Sequence, residues 1–218
     1  MSALHGFGLG IASENATGDT LDVFYPQPLS HVSGALCDRL TGVTGRLDSA
    51  QLRELATMLH EVGESTLGDI ASRLIETDKP IVAAVLSDNR AAGSVEEAYL
   101  KLHLLSHRLV KPHQTDLTGL FGLLPNVAWT DQGPIDLSEL PQRQLDERLR
   151  GTILEVSSVD KFPKMTNYVV PAGVRIAHTA RVRLGAYLGE GTTVMHEGFI
   201  NFNAGTEGPG MIEGRISA

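Results

Sequence analysis

Val170-Pro-Ala-Gly-Val-Arg-Ile-Ala-His-Thr-Ala-Arg-Val-Arg-Leu-Gly-Ala-Tyr-Leu-Gly-Glu-Gly-Thr-Thr-Val-Met-His-Glu-Gly-Phe-Ile-Asn-Phe-Asn-Ala204 repeats every six residues. Aliphatic side chains stand at Val170, Ile176, Val182, Leu188, Val194 and Ile200, and four positions after each comes a mostly small residue: Val174, Ala180, Ala186, Thr192, Gly198 and Ala204. A strand repeats every second residue and a helix every 3.6, so neither produces this spacing. Three hexads instead make one triangular coil of a left-handed parallel β-helix, with the aliphatic filling the interior and the small residue fitting beside a corner. With about a quarter of residues being Ile, Leu or Val, six hits in register arise by chance at about one in four thousand per starting point. Glycine is enriched too, 23 in 218 residues.

Beyond Ala204 the register weakens. Thr206 takes an aliphatic place, Glu207-Gly-Pro-Gly210 reads as a turn, and Ile212 resumes on schedule. From 170 to 218 is 49 residues, short of three 18-residue coils. A β-helix that short keeps an open edge, so 166–218 reads as only the start of one.

Working back toward the N-terminus, 1–165 reads as a mixed α/β domain. Leu21–Tyr25 before Pro26 is a strand, and Leu52, Leu55, Leu59 and Val62 predict a helix over Asp48–Val62. Leu67, Ile70, Leu74 and Ile75 predict a second over Ser65–Glu76. Pro80–Leu86 is a buried strand. Ser94-Val-Glu-Glu97 is a capping box, the serine accepting from the third helical N–H and Glu97 reaching back, and the helix it opens carries Tyr99, Leu102, Leu105 and Leu109. A helix at Ser138–Leu149 and a strand at Ile153–Val156 follow, and Lys161-Phe-Pro-Lys164 reads as a hinge.

With 42% hydrophobic and 20% charged residues the chain can bury a sizeable core. Its 18 Lys and Arg against 26 Asp and Glu give a net charge of −8, the wrong sign for neutralising phosphate backbones, so no nucleic-acid partner is expected. The single cysteine, Cys37, cannot form an internal disulfide, and a reducing, cytoplasmic setting fits. Met1–Ala12 has no Lys or Arg before its apolar stretch, and no 18-residue apolar run occurs, so neither signal peptide nor membrane span is expected.

Several residues could carry chemistry. His178 and His196 lie 18 apart, one coil, and would stack roughly 4.8 Å apart on one corner, though a metal site needs a third ligand. His196 alone is a candidate general base. His103 and His107 have the i, i+4 spacing of a metal pair but lack the glutamate of H-E-x-x-H, which favours packing. Cys37 has no histidine beside it to activate it. Glu213 follows the inward Ile212, so alternation turns it out of the coil, with Arg215 on the same side. At a subunit interface such a carboxylate can act as base or nucleophile; at a free surface it makes only a weak pair with Arg215.

The segments Tyr99–His113, Leu124–Thr130, Val159–Met165, Met195–Phe199 and Glu213–Ser217 together resemble the 2,3,4,5-tetrahydropyridine-2,6-dicarboxylate N-succinyltransferases of actinobacteria and pseudomonads. The likeness runs from about residue 95 to the end and is looser before it. It implies a hexapeptide-repeat acyltransferase moving succinyl from succinyl-CoA to the amine of ring-opened tetrahydrodipicolinate, in the succinylase branch of diaminopimelate and lysine biosynthesis. It further implies a homotrimer with active sites between neighbouring β-helices, Glu213 as the catalytic carboxylate and Arg215 as a succinyl-CoA ligand. Glu197 would meet a divalent metal near the threefold axis, Mg²⁺ or another hard cation. Some members supply an aspartate to a metal just before R-V-R-L-G, where this chain has Ala180. The family's chain continues well past residue 218, with coils that carry most of the CoA contacts. Two other readings stand beside the transferase: a catalytically incomplete trimeric fragment or regulatory remnant, and a metal-dependent β-helix hydratase built on His178 and His196.

Overall fold

His5-Gly-Phe-Gly-Leu-Gly-Ile11 lies in the long strand β1 (Leu4–Glu14), where alternation puts Phe7 and Leu9 on one face and the glycines on the other. The computed structural model describes residues 4–217, so Met1 and Ala218, the outer limits of the two domains read from sequence, lie outside the described residues. Strands β2 (Thr20–Phe24) and β3 (Leu29–Val32) pair antiparallel with the two halves of β1 along one edge. After α1 (Gly34–Leu40), β4 (Gly45–Arg46), α2 (Ser49–Glu61) and α3 (Ser65–Leu74), strand β5 (Ile81–Leu86) pairs along the other edge of β1 and takes β4 outside it. Helix α2 starts on a complete capping box, Asp48 accepting from Gln51 N–H while the Gln51 side chain accepts from Asp48 N–H.

Both faces of this sheet are covered, which is why Ile81–Leu86 is apolar throughout. Phe7, Leu9 and Ala83 pack with Leu40, Leu52, Leu59 and Leu67 of the first three helices. The opposite face meets α4 (Val95–Ser106), and here the glycines matter: a Cβ on Gly6 would sit 2.9 Å from Leu104 Cδ1, and one on Gly8 2.9 Å from Leu100 Cδ1. Every residue of α4 from Ala98 to Ser106 is buried, because the helix is covered on its other side as well. There Ser106 Oγ accepts from Gly185 N–H at 2.8 Å and donates to the Ala186 carbonyl at 3.1 Å, fastening α4 to the repeat region.

Two details of α4 differ from the sequence reading. Ser94 caps Glu97 N–H at 3.3 Å as expected, but the Glu97 carboxylate reaches Gly93 N–H and the Arg90 guanidinium instead of Ser94 N–H. The helix also stops at Ser106: Arg108 takes a left-handed φ of 63° and sends its guanidinium to the Leu188 and Ala172 carbonyls, leaving Leu109 outside the helix.

Past the short α5 (Leu120–Leu123), a hairpin of β6 (Val127–Thr130) and β7 (Gly133–Asp136) is followed by α6 (Leu140–Leu149) and β8 (Val156–Asp160). The strand expected at 153–156 lies later. Its position is set by antiparallel pairing with β6, Val127 opposite Asp160, and Ile153 is exposed. The expected hinge at 161–164 is stitched down: Lys164 bridges Arg183, Met165 N–H donates to the Val182 carbonyl, and Leu184 N–H to that of Pro163. One apolar cluster accordingly runs from Leu100 and Leu102 of α4 through Met165 to Val182, Leu188 and Ile200.

The repeat region is a left-handed parallel β-helix. Its short strands are β9 (Arg175–Ile176), β10 (Tyr187–Leu188), β11 (Thr192–Val194), β12 (Phe199–Ile200), β13 (Gly205–Thr206), β14 (Gly210–Ile212) and β15 (Arg215–Ile216). Ile176 faces Val194, Val194 faces Ile212, Leu188 faces Thr206 and Val182 faces Ile200, all parallel and all 18 residues apart. Val182, Leu188, Val194 and Ile200 are fully buried. Val170 is not: it is 63% exposed, because the chain joins the stacked coils only at β9. Among the small positions Ala186, Thr192, Gly198 and Ala204 are buried, whereas Ala180 is exposed.

One face departs from the eighteen-residue step. Phe199 pairs with Arg215 and Ile200 with Ile216, sixteen apart. Six residues separate Val194 from Ile200, and only four separate Ile212 from Ile216, so the corner at Glu213-Gly214-Arg215 is two residues shorter than Met195–Phe199 of the preceding coil.

Candidate active site

The short corner is what exposes Glu213. Ile212 turns into the coil, half-buried at its open end, and Glu213 turns out, as alternation predicts. The longer Met195–Phe199 corner reaches past it, and Met195, His196, Glu197 and Glu213 line one open concavity of about 410 Å³. Gly198 is required in that corner because a Cβ there would come within 2.2 Å of the Ile212 carbonyl oxygen. The structure thus brings together three residues singled out in the sequence: His196, Glu197 and Glu213.

Their side chains differ in what they touch. Glu213 is exposed and, among the described residues, has no side-chain hydrogen bond and no ion pair with Arg215. Arg215 instead donates from Nη2 to Ser217 Oγ at 3.2 Å. Glu197 is held by Arg181, Nη2 to Oε2 at 3.1 Å, a partner the sequence reading missed because sixteen residues and a short 3₁₀ turn separate them. His196 also borders a second cleft with Arg175 and Thr193, so it forms the wall between two concavities.

The other histidines resolve differently. His178 is exposed, and no group of three His, Cys, Asp or Glu able to hold a metal occurs among the described residues. The hydratase reading therefore finds no third ligand. His103 is wholly buried: Nδ1 lies 2.8 Å from the Tyr99 carbonyl and Nε2 accepts from Tyr25 N–H at 3.2 Å, which places the proton on Nδ1. Burial drives its pKa down to about 3, so it is a neutral wedge between α4 and β2. His107 stacks on it at 5.8 Å with its own pKa lowered by burial. Cys37 is buried in α1 against the apolar cluster of the first three helices.

A stack of hexapeptide coils carrying an outward carboxylate at a shortened corner defines a hexapeptide-repeat β-helix protein. Comparisons with known proteins narrow this. A family model described as the middle part of tetrahydrodipicolinate N-succinyltransferase matches residues 124–164. The 2,3,4,5-tetrahydropyridine-2,6-dicarboxylate N-succinyltransferase of Pseudomonas putida is 57% identical over 100% of this chain and 65% of that protein, and the one from Vibrio cholerae 50% identical over 99% and 65%. A crystal structure from Campylobacter jejuni, described as a candidate N-succinyltransferase of 2,3,4,5-tetrahydropyridine-2-carboxylate, superposes with a TM-score of 0.86 at 27% identity, over 100% of this chain and 64% of that one. The chain is similar along its whole length to these tetrahydrodipicolinate N-succinyltransferases, and it spans about 65% of the length of these curated relatives.

Proposed function

We propose that the protein works as an N-succinyltransferase, moving the succinyl group of succinyl-CoA to the amine of ring-opened tetrahydrodipicolinate in the succinylase branch of diaminopimelate and lysine biosynthesis. The setting is cytoplasmic and the working form a homotrimer with its sites between subunits; the division into 1–165 and 166–218 belongs to the same reading. The observation that carries it is Glu213, a carboxylate without partners among the described residues, on the shortened corner of a coil, in a chain 57% identical along its whole length to a curated succinyltransferase.

Glu213 can act in two ways. As a general base it takes a proton from the attacking amine while the nitrogen adds to the thioester carbonyl, and the C–S bond then breaks to release CoA thiolate. As a nucleophile its oxygen adds to the same carbonyl and expels the thiolate; the amine then attacks the resulting anhydride and the carboxylate is restored. Arg215, outward and bonded among the described residues only to Ser217, supplies a cation for the anionic donor. A divalent metal does not fit Glu197 within one chain, since that carboxylate pairs with Arg181 and Ala180 brings no ligand.

The test is thiol release from succinyl-CoA with acceptor present, by this chain and by a form extended to the relatives' length. Glu213→Ala should lower turnover of the extended form by roughly 10²- to 10⁴-fold. A burst of CoA without acceptor selects the anhydride route, and its absence selects the general base. An extended form that is inert supports the regulatory remnant instead; full rate in Glu213→Ala makes His196 the next base to test.

A further inference from the structure

Beside the Glu213 concavity, strand β8 and the coil enclose a smaller cleft of about 140 Å³ lined by Ser157, Ser158, Lys164, Ala180, Arg183 and Phe199, over the buried Phe162 ring. Arg183 is already engaged on two of its nitrogens. Its Nη2 meets Asp160 at 2.7 Å, its Nη1 meets Asn201 Oδ1 at 3.0 Å, and the guanidinium carbon lies 5.4 Å and 5.8 Å from the centroids of Phe162 and Phe199. Lys164 is different. Its backbone is fixed by the bridge to Arg183, yet its ammonium makes no hydrogen bond or ion pair among the described residues, nor does the Ser158 hydroxyl.

The lining therefore holds two cations against one carboxylate, Asp160, on a chain whose net charge is −8. Phenyl rings and an uncommitted lysine in one lining suit a short aliphatic chain ending in a carboxylate. At roughly 30 Å³ per water the cleft has room for four or five waters, or for a carboxylate with two or three methylenes. Phe199 ends the Met195–Phe199 corner, whose first three residues line the concavity holding Glu213.

We propose that this cleft is a carboxylate subsite, with Lys164 as its cation and the end of a short aliphatic dicarboxylate as its ligand. The inference rests on the transferase reading, in which both the succinyl donor and the dicarboxylate acceptor carry such an end.

Calorimetric titration of the full chain with succinate, with 2-aminopimelate and with neutral succinamide tests it. Succinate or aminopimelate should bind and succinamide should not, and whichever binds more tightly identifies the donor or the acceptor as source. Lys164→Met should weaken binding at least tenfold and Lys164→Arg no more than about threefold. Ala180→Asp, which puts a carboxylate into the cleft, should abolish binding. Thermal unfolding of each variant at the wild-type midpoint keeps a folding defect apart from a lost ligand contact. Equal affinity in Lys164→Met, equal binding of succinamide, or no binding of either dicarboxylate at millimolar concentration overturns the proposal. Glu213→Ala should leave succinate binding intact. Lys164-dependent binding in a protein whose extended form never turns over would overturn the transferase reading alone.

Discussion

Helix α4 and the Met195–Arg215 corners both carry histidines and glutamates at regular spacings, and the fold treats them in opposite ways. In α4 three polar side chains are enclosed and paired: His103 bridges the Tyr99 carbonyl and Tyr25 N–H, Ser106 bridges Gly185 and Ala186, and Lys101 lies buried with its ammonium 3.3 Å from Thr115 Oγ1. At the corners Glu213, His196 and Glu197 face an open concavity, and among the described residues only Glu197 has an ion-pair partner. Spacing says which side chains share a face, whereas coverage of that face decides whether they hold the fold or remain available to a ligand.

The contrast can be broken most directly by truncation on each side. Leu102 is fully buried between the sheet and Gly185, so Leu102→Ala should cost about 2–5 kcal/mol in urea unfolding, against within about 0.5 kcal/mol for Glu213→Ala. Similar losses from both would erase the distinction. A smaller effect concerns pH. His103 is neutral when folded, with a pKa near 3, and takes up a proton in the unfolded chain below about 6.5. The unfolded state therefore binds more protons between those values, and stability falls as pH drops through that window. The His103 contribution should approach about 1.4 kcal/mol per pH unit between 6 and 4, read as the difference in slope between wild type and His103→Gln. A parallel pH profile in the variant would mean His103 is not held neutral. Smallest of all, Arg181→Ala should change stability by less than about 1 kcal/mol, since its pair with Glu197 is exposed, and the change should fade in high salt.

These differences also explain what could be read in advance. The hexads announced the β-helix because the period is a local rule, and Val182, Leu188, Val194 and Ile200 obey it. Helix α2 was legible from its apolar face, and α4 from its cap and apolar face. Strand β1 was not, because Gly6 and Gly8 make sense only once α4 lies against them, and β8 was displaced because its place depends on pairing with β6. At the site, Glu213 and Arg215 were found as outward residues by alternation. The cleft around Lys164 was invisible, since it needs a loop 161–164 read as a hinge to be pinned to Arg183.

The sixteen-residue step between Ile200 and Ile216 has a consequence for symmetry. A prism wound from identical six-residue edges has three equivalent vertices, and nothing in its geometry tells one from another. Removing two residues at one vertex gives the coil an address. It also shifts the phase of the aliphatic rhythm by two, so Ile216 stands where an unbroken count of six expects the small residue. A chain that must gather its reactive groups at one place on a repetitive surface does so here by leaving residues out.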